Sequence, residues 1–344
     1  MPNLNISGLK ITGVSVGASS SGPTGDLYSF TTFTFTSANV AGRAGPTLSQ
    51  CLANYNTVDN SWLNNTNYFN VPVQGIQLWT VPKSGTYRIT AVGARGGKNL
   101  SANLEGGLGA QIVAEISLTQ NDKIAIVVGQ EGRDRSNSAL IAGNYAGGGG
   151  GGGSFVYDNG TSTFYVVAGG GGGAASARNN LLTNQFTAHG KGNTIHGTNV
   201  TIQGSFVANG GRDGRGGNVS TRGSLFGGPG AGILTDGQLA NGLQGRSKAN
   251  NWIGGNAVFN ANISVQGGFG GGGAGGDGTN NITYTNYSWA GGGGGYSGGG
   301  GGGNGGLSDG QYGGGGGSYT LSGYVSNISG TNNGNGYVIV TLIT

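Results

Sequence analysis

Apolar and polar residues alternate in short runs over two parts of this chain, and the alternation predicts strands. Residues 28–36 interleave aromatics with threonine and place Phe33 and Phe35 on one face. Residues 75–81 and 86–92 form two further runs joined by Pro-Lys-Ser-Gly, which reads as a hairpin. Farther on, Ile112, Ala114, Ile116 and Leu118 share one side of a strand, and 121–129 follows closely enough to read as its partner. A second hairpin is expected at 154–168, turning at Asp158, Asn159 and Gly160, and two closing strands at 318–325 and 336–344. Strands of this length, separated by turn signals, indicate an antiparallel sandwich. No long helical period appears, and no apolar run approaches the ~18 residues that span a bilayer. The first 27 residues read as one short strand and a connector.

Between these strands the pattern gives way to glycine. Runs occupy 147–153, 169–173, 270–273, 291–295, 298–303 and 313–317, within a total of 82 glycines among 344 residues. Glycine does not recur strictly at every third position, which excludes collagen. Gly-rich composition often means a loose linker. These runs are nearly pure, similar in length, and joined directly to β-branched and aromatic segments. An extended left-handed run of four to seven residues spans roughly 12–22 Å at ~3.1 Å per residue, and a strand of five or six spans ~17–20 Å. The match predicts parallel rods in one layer. Residues without Cβ can approach several neighbours and bond to all of them.

The division predicted is an N-terminal attachment arm at 1–27, a β-sandwich at 28–146 completed by 318–344, and a glycine-rich insert at 147–317 carrying the 154–168 hairpin. Charge changes the picture little: 16 Lys and Arg against 12 Asp and Glu give a formal +4. Arg212, Asp213 and Arg215 form the one small cluster, read as a solvated glycine loop rather than an RNA-binding segment. One cysteine, Cys51, excludes an intrachain disulfide and reads as a small buried hydrophobe. With His189 and His196 the only histidines, no metal site is expected. The carboxylates are spread thinly and form no acid/base, P-loop or nucleophile-elbow motif, so neither catalysis nor a cofactor is expected. Met1 is followed by no charged and apolar leader, which reads as synthesis in a reducing cytoplasm.

Residues 44–51, 73–98, 123–132 and 146–175, with the later glycine runs, resemble the glycine-rich extracellular region of anaplastic lymphoma kinase and leukocyte tyrosine kinase receptors. The resemblance runs from about residue 30 to the C-terminus, except 176–266, and rests most on the block Gly75–Pro82, Thr86–Ile89 and Gly93–Lys98. It implies an all-β fold: a tumour-necrosis-factor-like, jelly-roll type sandwich with an inserted polyglycine-II bundle. No kinase segment accompanies it, so receptor activity is not implied. A charge-poor, Asn/Thr/Gly-rich chain of this kind fits a virion structural or adhesion protein, such as a phage tail fibre, spike or capsid-surface component. The arm would join other virion proteins, and a host glycan or protein receptor is the expected outer partner. A homo-oligomer is expected; nucleic acid and membrane insertion are not. The candidate contact residues are the aromatics between glycine runs, Trp252, Tyr284, Tyr287, Trp289, Tyr296 and Tyr312, chosen because aromatics supply contact area at low entropy cost. Capping the rods is the competing role for each. A secreted or cell-surface binding domain and a glycan-active enzyme are the rival readings.

Overall fold

The computed structural model describes residues 25–100, 103–135, 147–175, 188–202, 206–219, 226–257, 265–276, 289–303 and 311–343. The predicted N-terminal strand lies outside them, as does most of the arm. Two antiparallel sheets face each other. The first has five strands in the order β1 (Thr32–Phe35), β13 (Tyr337–Leu342), β4 (Gly85–Val92), β5 (Gly109–Leu118) and β12 (Ser326–Asn332). The second has six: β11 (Tyr319–Thr320), β8 (Phe164–Ala168), β7 (Ser154–Asp158), β6 (Lys123–Val127), β3 (Ile76–Thr80) and β2 (Phe69–Val73). A small pair, β9 (Val200–Ile202) and β10 (Phe206–Ala208), stands apart. Pro72, which has no amide to give to a ladder, sits on the edge strand β2.

The predicted faces hold. Phe33, Phe35, Ile112, Ala114, Ile116 and Leu118 all point into the core between the sheets, with Trp79, Tyr87, Ile89, Ile124 and Ile126. Burying each large apolar side chain contributes about 1.5–3 kcal/mol.

Two predicted pairings do not. The segments 75–81 and 86–92 are not a hairpin, because β3 lies in the six-stranded sheet and β4 in the five-stranded one. Likewise β5 and β6 belong to opposite sheets. Both short connections are arches that cross the core edge. They lie side by side: Val81 N donates to Asp122 O at 3.0 Å and Asn121 N to Val81 O at 2.9 Å. Turn chemistry does not distinguish a hairpin from an arch. The apolar faces of β3 and β4 must meet one core from opposite sides, and that decides it. The hairpin at 154–168 is correctly placed in sequence but forms the β7–β8 pair inside the sandwich, so sandwich and insert interleave.

A short helix, α1 (Leu48–Asn54), is closed at its start by a capping box between Thr47 and Gln50. It buries Cys51, as expected, and that burial pushes the thiol up to about 12, with a hydrogen bond from Tyr55 opposing. Alkylation of the native protein at neutral pH is therefore expected to leave Cys51 unmodified, and modification to track unfolding in denaturant. Rapid labelling of the folded chain contradicts this.

The six-stranded sheet is buried on both faces. Ile124, Ile126 and Val156 face the first core. Ala125, Val127, Phe155, Tyr157 and Val167 face the other way, into a second cluster with Trp252 and Phe269. That explains why 124–128 reads as a continuous apolar run rather than an alternating one.

The glycine runs are rods with a three-residue period, seen most completely in 147–153. Gly148 and Gly151 donate to the carbonyls of Ala174 and Gly171, Gly149 and Gly152 to Arg133 and Gln130, and Gly150 and Gly153 to Gly273 and Gly270. On the acceptor side, Gly149 and Gly152 receive Gly97 and Ala94, Gly148 and Gly151 receive Gly291 and Gly294, and Gly150 receives Gly268. One rod is thus ringed by segments of 94–97, 130–133, 171–174, 268, 270–273 and 291–294, with each direction used in turn as expected of a three-fold extended helix. Glycine is required here for closeness rather than for a left-handed φ, which no residue of 147–153 adopts. A Cβ on Gly150 would lie 2.0 Å from Gly292 O, and one on Gly173 2.0 Å from Gly148 O. Segments 94–97 and 130–133 come from the sandwich half of the sequence, so the lattice is not confined to the predicted insert.

Candidate interaction surface

The sandwich positions the rods, and the rods decide where aromatic side chains fit. Inside the lattice most positions leave no room for a Cβ and the few that do hold mainly alanine, so bulk collects at rod ends and over the outer face of the six-stranded sheet. Trp252 is fully buried there, stacked on Phe155 with ring centroids 3.8 Å apart and planes 25° apart. It sits at a left-handed φ of 59°, and its carbonyl receives the amides of Gly270 and Gly271. Trp289 is buried as well, its carbonyl receiving Gly276 N. Tyr312 packs with Ala174, Ala188 and Leu104, and burial pushes its hydroxyl up to about 12. These three candidate contact residues are thus buried in the packing of the chain. Tyr284 and Tyr287 lie outside the described residues.

Tyr296 is the exception. It is half-buried and stacked on Tyr319 at 4.6 Å and 23°, with its amide on Gly317 O. Tyr319 begins a stretch that leaves one sheet edge and joins the other. Leu321 N bonds Tyr165 O, Ser322 Oγ bonds Glu115 O, and Val325 N bonds Val113 O. Along it Leu321, Tyr324, Val325 and Ile328 are 51, 40, 54 and 45 % exposed. No Asp, Glu, Lys or Arg occurs from 310 to 344. The result is an apolar strip with no charged residue of its own along an edge of the sandwich, with 190–192 lying against its Ile328–Gly330 end. Sequence reading missed it because its apolar residues follow no single-face period, being interrupted by Ser322, Gly323 and Ser326. The uncharged stretch was the available signal.

Two charge clusters hold rods together, while Arg88–Glu115 and Lys83–Asp26 pair on the sandwich surface. The Arg95 side chain, 9 % exposed, pairs with Asp134 and Glu131 at 2.8 Å each and donates to Gly96 O. Burial alone would lower its pKa; the two carboxylates outweigh that and raise it. Asp134 also receives Lys98 N. Asp236 receives Ser247 N and Oγ, Asn250 Nδ2 and Arg246 Nη1, and these bonds overcome burial to hold its carboxyl below the usual range. The Arg212–Arg215 segment is a tight turn of the lattice, with Arg215 N on Arg212 O and Gly211 N on Gly298 O. Among the described residues no group of three or more His, Cys, Asp or Glu is arranged to hold a metal. No helix among them is long and apolar enough to cross a membrane.

His189 joins lattice to sandwich. Its Nδ1 accepts Leu108 N–H at 2.9 Å, and its ring lies against Gly330, which adopts a left-handed φ of 59°. Burial, reinforced by the Lys191 charge, lowers its pKa from the ordinary 6.5. The unfolded chain then takes up the proton first as pH falls. Stability is full above 6.5 and declines on acidification through 6.5 to the depressed value, below which the loss is complete. The unfolding midpoint is expected to fall across that window, with His189→Gln flattening the profile. Identical profiles for the two proteins contradict this.

The fold and this surface define an all-β sandwich backed by a lattice of glycine rods, with an apolar strip at one edge. No protein-family model matches the chain. One similar protein is the leukocyte tyrosine kinase receptor of Mus musculus, 35 % identical over 104 residues. The match covers 29 % of this chain and 11 % of the receptor, so the chain spans only about a tenth of the length of that relative. It supports a distant relation to that receptor family.

Proposed function

We propose that this chain is a non-enzymatic structural and adhesion module of a virion, displaying its loops and apolar strip to a host receptor or to neighbouring subunits. The observation that carries the reading is the ring of backbone bonds around 147–153. Such a lattice makes a stiff body from residues with no side-chain chemistry, which suits holding a surface in place. Trp252, Trp289 and Tyr312 are spent on packing, and Arg95, Asp134 and Asp236 on joining rods. The uncharged strip around Leu321, Tyr324 and Val325 is the contact face in this reading, a neutral surface that suits a glycan or protein partner. The arm attaches the module to other virion proteins. Mass spectrometry of purified particles tests the setting: the chain is expected in them, and its absence ends the virion reading. Binding of the purified chain to host envelopes tests adhesion. There Tyr324→Ala with Val325→Ser is expected to weaken binding at an unchanged melting temperature; unchanged binding removes the strip from the contact face.

The similarity to a receptor tyrosine kinase favours a second reading, a secreted or cell-surface glycine-rich binding domain. Detection of the chain on intact cells that release no particles would select it.

A further inference from the structure

The dipeptide Asn-Gly occurs six times in this chain, at Asn159, Asn209, Asn241, Asn304, Asn333 and Asn335. It is the sequence most prone to lose its side-chain amide, because glycine leaves the following backbone nitrogen unobstructed. Asn304 lies outside the described residues. The other five fall into two groups. Gly210 N donates to Asn199 Oδ1 at 2.9 Å, Gly242 N to Gln244 Oε1 at 3.1 Å, and Gly336 N to Gly129 O at 2.8 Å. Each of these nitrogens is held in a hydrogen bond and must be released before it can react. Gly160 N and Gly334 N have no acceptor among the described residues, and Asn159 and Asn333 are both exposed.

We propose that Asn333 is a site of spontaneous modification that loosens the joint between sandwich and lattice, with Asn159 a second reactive site of no structural consequence. The Gly334 nitrogen attacks Asn333 Cγ. An N–Cγ bond forms, the Cγ–Nδ2 bond breaks, and ammonia leaves carrying the proton that the backbone amide gives up. Water then opens the cyclic imide at either carbonyl, leaving aspartate or isoaspartate.

Position makes Asn333 the consequential site. Gly334 O receives Arg95 N at 2.9 Å, Asn332 Nδ2 donates to Gly93 O at 2.8 Å, and Asn335 Oδ1 receives Glu131 N at 2.9 Å. These bonds tie the β12–β13 loop to the rods at 93–97 and 129–133. Isoaspartate routes the main chain through Cβ and Cγ and displaces Gly334 O from Arg95. Either product adds a carboxylate to the loop whose next residue, Gly334, lies near Glu131: the Glu131 Oε1 is 3.6 Å from where a Gly334 Cβ would stand. Asn159 tips an exposed hairpin, where its own amide bonds Lys123 O of the neighbouring strand rather than a glycine rod.

The test is to age the native chain in mildly alkaline buffer and follow each Asn-Gly by peptide mapping and isoaspartate assay. Asn159 and Asn333 are expected to convert, with Asn209, Asn241 and Asn335 at least about tenfold slower, since their reaction waits on local opening. In denaturant all five should converge. The melting temperature should fall with Asn333 conversion; Asn333→Gln should abolish that fall and Asn159→Gln should not. Equal conversion of all five in the native chain, or a fall that persists in Asn333→Gln, overturns the proposal.

Discussion

Replacing Gly150 by alanine is expected to destabilise the protein by at least about 3 kcal/mol, or to prevent folding. The new Cβ meets Gly292 O at 2.0 Å and Gly292 C at 2.5 Å, and both are backbone atoms fixed by their own bonds. The amide of Gly292 is committed to Gly228 O, and its carbonyl to Gly273 N. Relief therefore requires moving a second rod, which displaces a third. A single methyl thus acts on the lattice as a whole. Gly25→Ala is the control: nothing lies within 4 Å of its Cβ, and near-neutral behaviour is expected. Thermal or urea unfolding of both variants reads the difference. Equal stabilities would mean that the rods part easily, and the stiffness on which the display role rests would be lost.

Trp252→Ala is the second large effect, a loss of about 3–5 kcal/mol. The indole covers Phe155 on the outer face of the six-stranded sheet and packs with Val127, Tyr157 and Phe269. Its removal opens a void where lattice and sheet meet. Trp252→Phe keeps an aromatic ring against Phe155 and should lose less. The same experiment separates packing from recognition. If Trp252 contacted a partner, the alanine variant would bind weakly while melting normally; a lowered melting temperature is expected instead.

Much of the sandwich was readable from residue order. The inward row Ile112, Ala114, Ile116 and Leu118 follows from period-two alternation, because a strand has only two faces. The rods were readable too, since run length and purity leave close packing as the main use of so many missing side chains. The aromatic site was not. Trp252 stands between Asn251 and Ile253 in a polar stretch, where local composition suggests exposure. Its left-handed turn aims the ring back onto a sheet built from residues a hundred positions earlier. The strip at Leu321–Ile328 escaped for the opposite reason, because apolar residues in a sandwich are expected to point inward.

Residue order by itself determined which segments extend, which face each strand buries, and where no side chain is permitted; these are local consequences of backbone sterics and hydrophobic period. The tertiary structure alone decided which rods adjoin, which sheet each strand joins, and which aromatics remain at the surface. An all-glycine rod offers the same backbone groups in every direction, so nothing in its own sequence selects a neighbour. The sandwich does so, by fixing where each rod begins and ends.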